Sequence, residues 1–89
     1  MIITKVLKCD YDNRKSFYGK AITERILGEE GETLRFVLKS YGMEVCKIED
    51  GEFKKIANYY SQTTLRHINE FRQQCGLDKI TKNEWLDME

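Results

Sequence analysis

The sequence has no proline, one histidine and three cysteines in 89 residues, and each shortage narrows the range of folds and functions. A chain without proline fits a compact meander of adjacent strands. Cys9, Cys46 and Cys75 are odd in number and form no Cys-x-x-Cys pair, so we expect reduced thiols rather than a disulfide framework. One histidine and three dispersed cysteines also lack the ligand spacing of a zinc site. We therefore predict no metal and no cofactor.

The sequence also lacks an excess of either charge and any long apolar run. Its net charge is zero, with 34% charged and 40% hydrophobic residues, a composition that fits a small globular domain with a large surface. No secretory, membrane-spanning or lipidation signal is present, so we expect an intracellular protein without a membrane partner. The charges are segregated, because residues 1–20 and 54–75 are net positive whereas residues 21–53 are net negative.

Alternating apolar and polar residues predict an antiparallel meander in the first two thirds of the chain. Its three to five strands are expected within about residues 1–57, in the segments 1–7, 21–27, 34–41, 43–49 and 53–56. The segment 21–27 is the most ambiguous, since its charged pair also suits a helix. Asp50-Gly51 is the strongest hairpin signal, because both residues tolerate the positive φ of a type I′ turn.

Residues 61–75 predict one long helix with both ends marked. Ser61 is a suitable N-cap, and Gly76 suits the left-handed residue that ends a helix. One apolar stripe is expected to pack on the sheet: Leu65, Ile68, Phe71 and Cys75. The far side is expected to face water: Arg66, Asn69, Glu70 and Gln73. Arg66 and Glu70 stand four residues apart and can pair on the surface.

A second, short helix is predicted at about residues 82–88. Thr81 and Glu84 form the Thr-x-x-Glu pattern of a capping box, and Trp85 and Leu86 follow as apolar anchors. The predicted fold is therefore α+β within one domain, residues 1–89, in which the meander packs against the long helix.

His67 is the only histidine and the only candidate for a general base. Its sequence neighbours supply neither a nucleophile nor an orienting carboxylate at a specific spacing. A half-buried histidine that is hydrogen-bonded to a neighbour is the favoured interpretation. We predict that the protein is not an enzyme.

The start of the predicted helix has more hydroxyl groups than a cap requires. Ser61 suffices as the cap, so Thr63 and Thr64 are available for another role. Hydroxyl groups at the positive end of a helix can receive a phosphate or a carboxylate. They can equally bond to the local backbone, and both interpretations stay open.

Tyrosines and basic residues together suggest binding of single-stranded nucleic acid by stacking and charge. The aromatic candidates are Tyr18, Tyr41, Tyr59 and Tyr60. The basic candidates are Lys15, Lys20, Lys54, Lys55 and Arg66. The alternative is that the aromatic residues fill a small core and its rim.

Three segments together carry a resemblance to a known family. They are Ser16-Phe17-Tyr18-Gly19-Lys20-Ala21, Ser40-Tyr41 with Val45, and Tyr60-Ser61-Gln62-Thr63-Thr64-Leu65-Arg66-His67-Ile68-Asn69-Glu70-Phe71, followed by Gly76 and Lys82-Asn83-Glu84-Trp85. Over residues 16 to about 86 the chain resembles a family of small proteins of unknown function that occurs mostly in bacteriophages and other mobile elements. That family has a threonine soon after Ser-Tyr, where this sequence has Gly42 or Met43.

The resemblance implies a phage accessory protein that acts in the cytoplasm of a bacterial host, and it carries no activity with it. The first hypothesis is a stoichiometric inhibitor of a host protein, such as a defence nuclease or a CRISPR effector, that occupies a basic channel. Its candidate contacts are acidic: Glu29, Glu30, Glu32, Asp50 and Glu52. The helix residues Thr63, Thr64, Arg66 and His67 either bind a partner or lock the helix to the strands. The second hypothesis is the nucleic-acid module.

Self-association is a third expectation. The edge strands of a small meander offer unpaired backbone groups to another chain. A homodimer through an edge strand or through Trp85 is therefore expected as readily as a monomer.

Overall fold

The computed structural model describes residues 1–14 and 16–89 and shows a five-stranded antiparallel sheet with two helices. Neighbours in the sheet are also neighbours in the chain: β1 (Ile2–Val6), β2 (Ala21–Leu27), β3 (Thr33–Ser40), β4 (Met43–Glu49) and β5 (Glu52–Lys55). The α+β class and the meander are confirmed. The ambiguous segment 21–27 is a strand with the predicted bounds.

Two tight hairpins join the last three strands. Asp50 and Gly51 connect β4 to β5 with φ of 55° and 75°, and Tyr41 and Gly42 connect β3 to β4 with φ of 53° and 80°. Positive φ at both central residues is characteristic of a type I′ turn, whose twist matches that of the strands. The Asp50-Gly51 hairpin is confirmed, and Gly42 ends a strand because it completes the other turn.

The first helix, α1 (Gln62–Gln74), has the two predicted ends. The hydroxyl of Ser61 accepts the N–H of Thr64 at 3.0 Å, and Gly76 follows the C-cap with φ of 82°. With 13 residues, α1 is a helix of ordinary length, so the prediction of a long helix is corrected.

α1 is buried on two sides rather than one. Of the predicted stripe, Ile68 and Phe71 are fully buried, whereas the outer members are half-buried: Leu65 and Cys75. Asn69 and Glu70 were expected to face water, and this was wrong, because they are only 9% and 1% exposed. The segments 8–14 and 77–80 cover them.

Buried polar side chains attach those two segments to α1. Glu70 Oε1 accepts the N–H groups of Tyr11 and Asp12 at 2.9 and 2.8 Å. Asn69 donates to the carbonyl oxygen of Ile80 at 3.0 Å and accepts its N–H at 2.8 Å. The two side chains form hydrogen bonds with backbone groups of these loop segments, which have no neighbouring strand to pair with.

The second helix, α2 (Lys82–Asp87), begins with the predicted capping box. Thr81 Oγ1 accepts the N–H of Glu84 at 3.2 Å, and Glu84 Oε1 accepts the N–H of Thr81 at 2.9 Å. Trp85 is fully buried and donates its indole N–H to the carbonyl oxygen of Tyr59 at 2.8 Å. α2 is thereby anchored to the segment between β5 and α1.

The two faces of the sheet differ in chemistry. The face toward α1 contributes to the core, which consists of Leu7, Phe17, Ala21, Leu38, Val45, Cys46, Ile68, Phe71, Ile80 and Trp85. Because side chains alternate along a strand, the opposite face carries the ion pairs of β2 to β5. Lys39 pairs with Glu24 at 3.2 Å. Glu49 is flanked by three cations, Arg35, Lys47 and Lys54, and the hydrogen bond from Lys47 is the main reason that its pKa is lowered.

Candidate functional site

A buried polar cluster joins the start of α1 to the end of β3. Ser40 Oγ lies 3.0 Å from Thr64 Oγ1 and 2.8 Å from His67 Nδ1, and all three side chains are buried. Ser40 is the last residue of β3, while Thr64 and His67 stand three apart on α1 and share a face. Hydrogen bonds of Ser40 to both helix residues fix where the helix begins relative to the sheet.

Aromatic rings enclose the histidine of this cluster. The ring centroid of Phe17 lies 4.5 Å from that of His67, edge to face, and the ring centroid of Tyr41 lies 5.7 Å from it. The N–H of Tyr41 donates to the carbonyl oxygen of Lys20 at 2.8 Å, which brings the loop before β2 beside the β3–β4 turn. The three segments that carry the sequence resemblance therefore meet around one histidine.

His67 is a neutral, buried imidazole. Burial, with a smaller contribution from the positive charge of Arg14, lowers the pKa of His67 to about 4. Its Nε2 is buried and has no hydrogen-bond partner among the residues that the structure describes. Ser40 and His67 have the separation of a nucleophile and its base, but they are only 1% and 0% exposed. Both side chains are therefore shielded from solvent in this structure, and their hydrogen bond joins β3 to α1.

The other two helix candidates lie outside the cluster. Thr63 is half-buried, and Arg66 is exposed with its Nη1 3.2 Å from Asp12 Oδ1. The pairing of Arg66 with Glu70 does not form, because the Glu70 carboxylate is occupied by backbone N–H groups and by Gln74, whose amide donates to it at 2.7 Å. The residues from Thr63 to His67 are thus divided between the core and the surface.

Sequence reasoning missed Ser40 and Phe17 as the partners of His67. One signal was present: alternation along β3 places Ser40 on the same face as Leu38, which is the core face. A hydroxyl buried there requires a polar partner, and the helix supplies Thr64 and His67.

The acidic candidates gather at the other end of the sheet. In the register of the sheet Leu27 pairs with Thr33 and Arg35 pairs with Glu49. The β2–β3 turn and the β4–β5 turn therefore lie side by side. We call this region the acidic end, defined by Glu29, Glu30, Glu32, Asp50 and Glu52.

The helix runs toward the acidic end. α1 begins beside Ser40, and its Phe71 packs on Phe36 with ring centroids 5.0 Å apart, nearer the start of β3. The C-terminal end of a helix carries partial negative charge. It adds to the carboxylates of the acidic end rather than neutralising them.

The carboxylates of the β2–β3 turn have different roles. Glu32 accepts the N–H of Glu30 at 3.0 Å and so braces the turn. Glu29 and Glu30 are exposed and are the members of this turn best placed to contact a partner.

A groove of about 380 Å³ lies at this end of the sheet, lined by parts of β2, β3, β4, the β4–β5 turn and the end of α1. Its apolar lining includes Leu34, Phe36 and Ile48, and Asp50 lies at its rim. Leu34 is 49% exposed. The Arg25 guanidinium lies 4.2 Å above the ring of Phe36 and covers part of the groove. The groove thus combines apolar side chains with one cation, Arg25, and one carboxylate, Asp50.

Comparison with protein families gives one match. Residues 5–87 match a family of unknown function (DUF8033). The chain belongs to this family. No curated protein and no solved structure shows significant similarity to it.

Two further properties of this DUF8033 chain concern metals and membranes. Over residues 1–14 and 16–89, no three His, Cys, Asp or Glu side chains come together as a group that could hold a metal ion. Neither α1 nor α2 is long and apolar enough to cross a membrane, and no other helix is present in the same residues.

The basic residues of the nucleic-acid hypothesis do not share one surface. The Lys55 ammonium donates to Asn58 Oδ1 at 2.8 Å and to the carbonyl oxygens of Trp85 and Met88 at 2.8 and 3.2 Å. Two of its protons hold the end of α2 and the third is bound by Asn58, so all three are used within the protein. Lys54 lies on the opposite face of the sheet, 3.5 Å from Glu49.

The remaining members of that set lie elsewhere. Tyr18, which is 81% exposed, and Lys20 precede β2 beside the His67 cluster, and Arg66 is on α1. Lys15 lies outside the described residues. The set is therefore spread over at least three parts of the molecule.

Proposed function

We propose that this DUF8033 member is a small, non-catalytic accessory protein of phages or mobile elements that binds a host protein in the bacterial cytoplasm. The proposed partner surface is basic, as in the nucleic-acid channel of a defence nuclease or a CRISPR effector, and the acidic end docks there. The phage origin rests on the sequence resemblance, and the mode of binding rests on the geometry of the acidic end.

One observation carries this proposal: two acidic turns that are distant in sequence lie side by side at one end of the sheet, and the β4–β5 turn borders a partly apolar groove there. Leu34, which is 49% exposed, and Asp50 both line this groove, so it offers a partner burial of apolar surface and attraction of positive charge. Such complementarity increases the rate of association and rejects partners of the wrong charge.

Charge reversal at the acidic end should abolish capture of the partner. We expect the immobilised wild-type protein to retain a basic host protein from bacterial lysate, and the Glu29→Lys, Glu30→Lys double variant to lose it. Glu44→Lys is the matched control, because Glu44 is an exposed carboxylate at the start of β4, at the opposite end of the sheet. Capture by the double variant at the level of the wild type would refute this mode of binding.

Binding of nucleic acid is the competing function, and it predicts a different behaviour on columns. Because its basic residues are divided and Lys55 is bound internally, we expect the protein to pass through heparin and single-stranded DNA columns at low salt. Retention that weakens steeply with rising salt would instead support the nucleic-acid function.

A further inference from the structure

β1 is the outer strand of the sheet, and its free edge is unusually open. All five of its residues are exposed, including three apolar side chains, Ile2 at 60%, Ile3 at 36% and Val6 at 53%. Its pairing with β2 is regular, without a bulge, and it contains no proline. Natural edge strands are usually protected from pairing by a bulge, a proline or charged side chains. Of these, β1 has only the charge of Lys5.

The hydrogen bonds to β2 show which backbone groups face the free edge. Leu7 donates to the carbonyl oxygen of Ala21 at 2.9 Å, and Leu27 donates to that of Met1 at 2.8 Å. The odd-numbered residues of β1 therefore bond to β2. Because the direction alternates along an antiparallel strand, the N–H and C=O groups of the even-numbered residues face outward: Ile2, Thr4 and Val6.

We propose that β1 pairs with β1 of a second copy of this chain, antiparallel and centred on Thr4. A two-fold axis at Thr4 places Thr4 opposite itself and Ile2 opposite Val6 of the second copy. Each outward N–H then meets an outward C=O, which gives about six backbone hydrogen bonds and one sheet through both copies. This inference does not depend on the proposed host partner.

The side chains suit the same register. On the sheet face opposite α1, Ile2 and Val6 lie beside Ile26 and Ile22 of β2. The pairing therefore forms an apolar strip across the boundary between the two copies. On the other face, the stem of Lys5 lies against Ile3 of the second copy, and no like charges face each other. A register centred on Lys5 would place two ammonium groups opposite each other and leave Ile2 without a partner within β1 of the second copy.

The size of the contact sets its strength. A seam between two five-residue strands is smaller than the roughly 1,200–2,000 Å² of a stable specific interface. We therefore expect a reversible dimer with a dissociation constant on the order of micromolar to tens of micromolar.

Sedimentation equilibrium of the full chain between about 1 and 200 µM tests the dimer. Thr4→Pro removes only an outward N–H, which an edge strand tolerates, and it should raise the dissociation constant at least about tenfold. Thr4→Val is the matched control and should keep the dimer. A monomeric wild type, or a dimer that Thr4→Pro leaves unchanged, would overturn the proposal. Circular dichroism checks that each variant is folded.

A second set of variants tests the pairing register centred on Thr4. It also tests the dimer itself if Thr4→Pro fails to fold. Ile2→Lys alone and Val6→Glu alone should each weaken the dimer, because a charge then faces an apolar side chain. The double variant places the introduced ammonium opposite the introduced carboxylate of the second copy, so it should restore the dimer, more so at low salt. A double variant as weak as the single variants would contradict pairing centred on Thr4.

Discussion

Lowering the pH from 7 to 4 should reduce the free energy of unfolding by about 3 kcal/mol through His67 alone. The pKa of His67 is about 4 in the folded protein and about 6.5 in an unfolded chain. Between these values the unfolded state binds more protons, so stability rises with pH. The contribution is complete above pH 6.5 and is lost as the pH falls toward 4.

Urea unfolding of the wild type and of His67→Phe at several pH values measures this contribution. The variant retains every carboxylate, so the difference between the two pH profiles isolates the histidine. Since His67 is the only histidine, its imidazole resonances also report its titration directly. A pKa of His67 near 6.5 in the folded protein, or identical pH profiles of stability for the wild type and the variant, would show that the cluster is open to water rather than buried. His67→Gln serves if His67→Phe does not fold.

Replacing Glu70 by alanine should destabilise the protein by about 2–4 kcal/mol, far more than loss of a surface glutamate. Its carboxylate is 1% exposed and accepts the N–H groups of Tyr11 and Asp12 and the amide of Gln74. Without it, those donors lose their partner and the 8–14 segment loses its attachment to α1. Amide exchange at Tyr11 and Asp12 should accelerate together with the loss of stability.

Glu70→Gln is the informative companion to this change. It keeps an oxygen for the backbone donors, so it should cost less than Glu70→Ala. Glu44→Ala, at an exposed position, should change stability by less than about 0.5 kcal/mol. If Glu70→Ala matches that surface control, Glu70 does not anchor the loop.

The elements specified by short-range chemistry could be predicted from the sequence. The Ser61 cap, the Thr81–Glu84 capping box and the Asp50-Gly51 turn each depend on residues within four positions of one another, and all three are confirmed. The strands followed from alternation, which the pairing of neighbouring strands preserves.

Burial by distant segments could not be predicted. Asn69 and Glu70 were predicted to face water because the helical periodicity of the sequence identifies only one apolar stripe. Nothing in the neighbouring sequence indicates that loops cover a second side of α1. Lys55 looked like a free cation, but it is fixed by the carbonyl oxygens of α2, about 30 residues later in the chain. Long-range contacts such as these depend on how the elements dock.

The candidate surfaces were partly predictable. The order of a meander places alternate turns at the same end, so the gathering of the two acidic turns follows from the strand order. The groove beside the β4–β5 turn does not follow from it, because the exposure of Leu34 depends on how far α1 reaches across the sheet. The buried cluster of Ser40, Thr64 and His67 could not be predicted either, because it forms only when α1 docks on β3.

The affinity of the proposed host protein, once captured and purified, for the wild type and for the Glu29→Lys, Glu30→Lys variant tests the acidic end most directly. Titration calorimetry at low and physiological salt should show binding at least about tenfold weaker for the variant, and binding by the wild type that weakens as salt rises. Glu44→Lys should stay within about twofold of the wild type. Equal affinities of the wild type and the double variant would contradict docking through the acidic end.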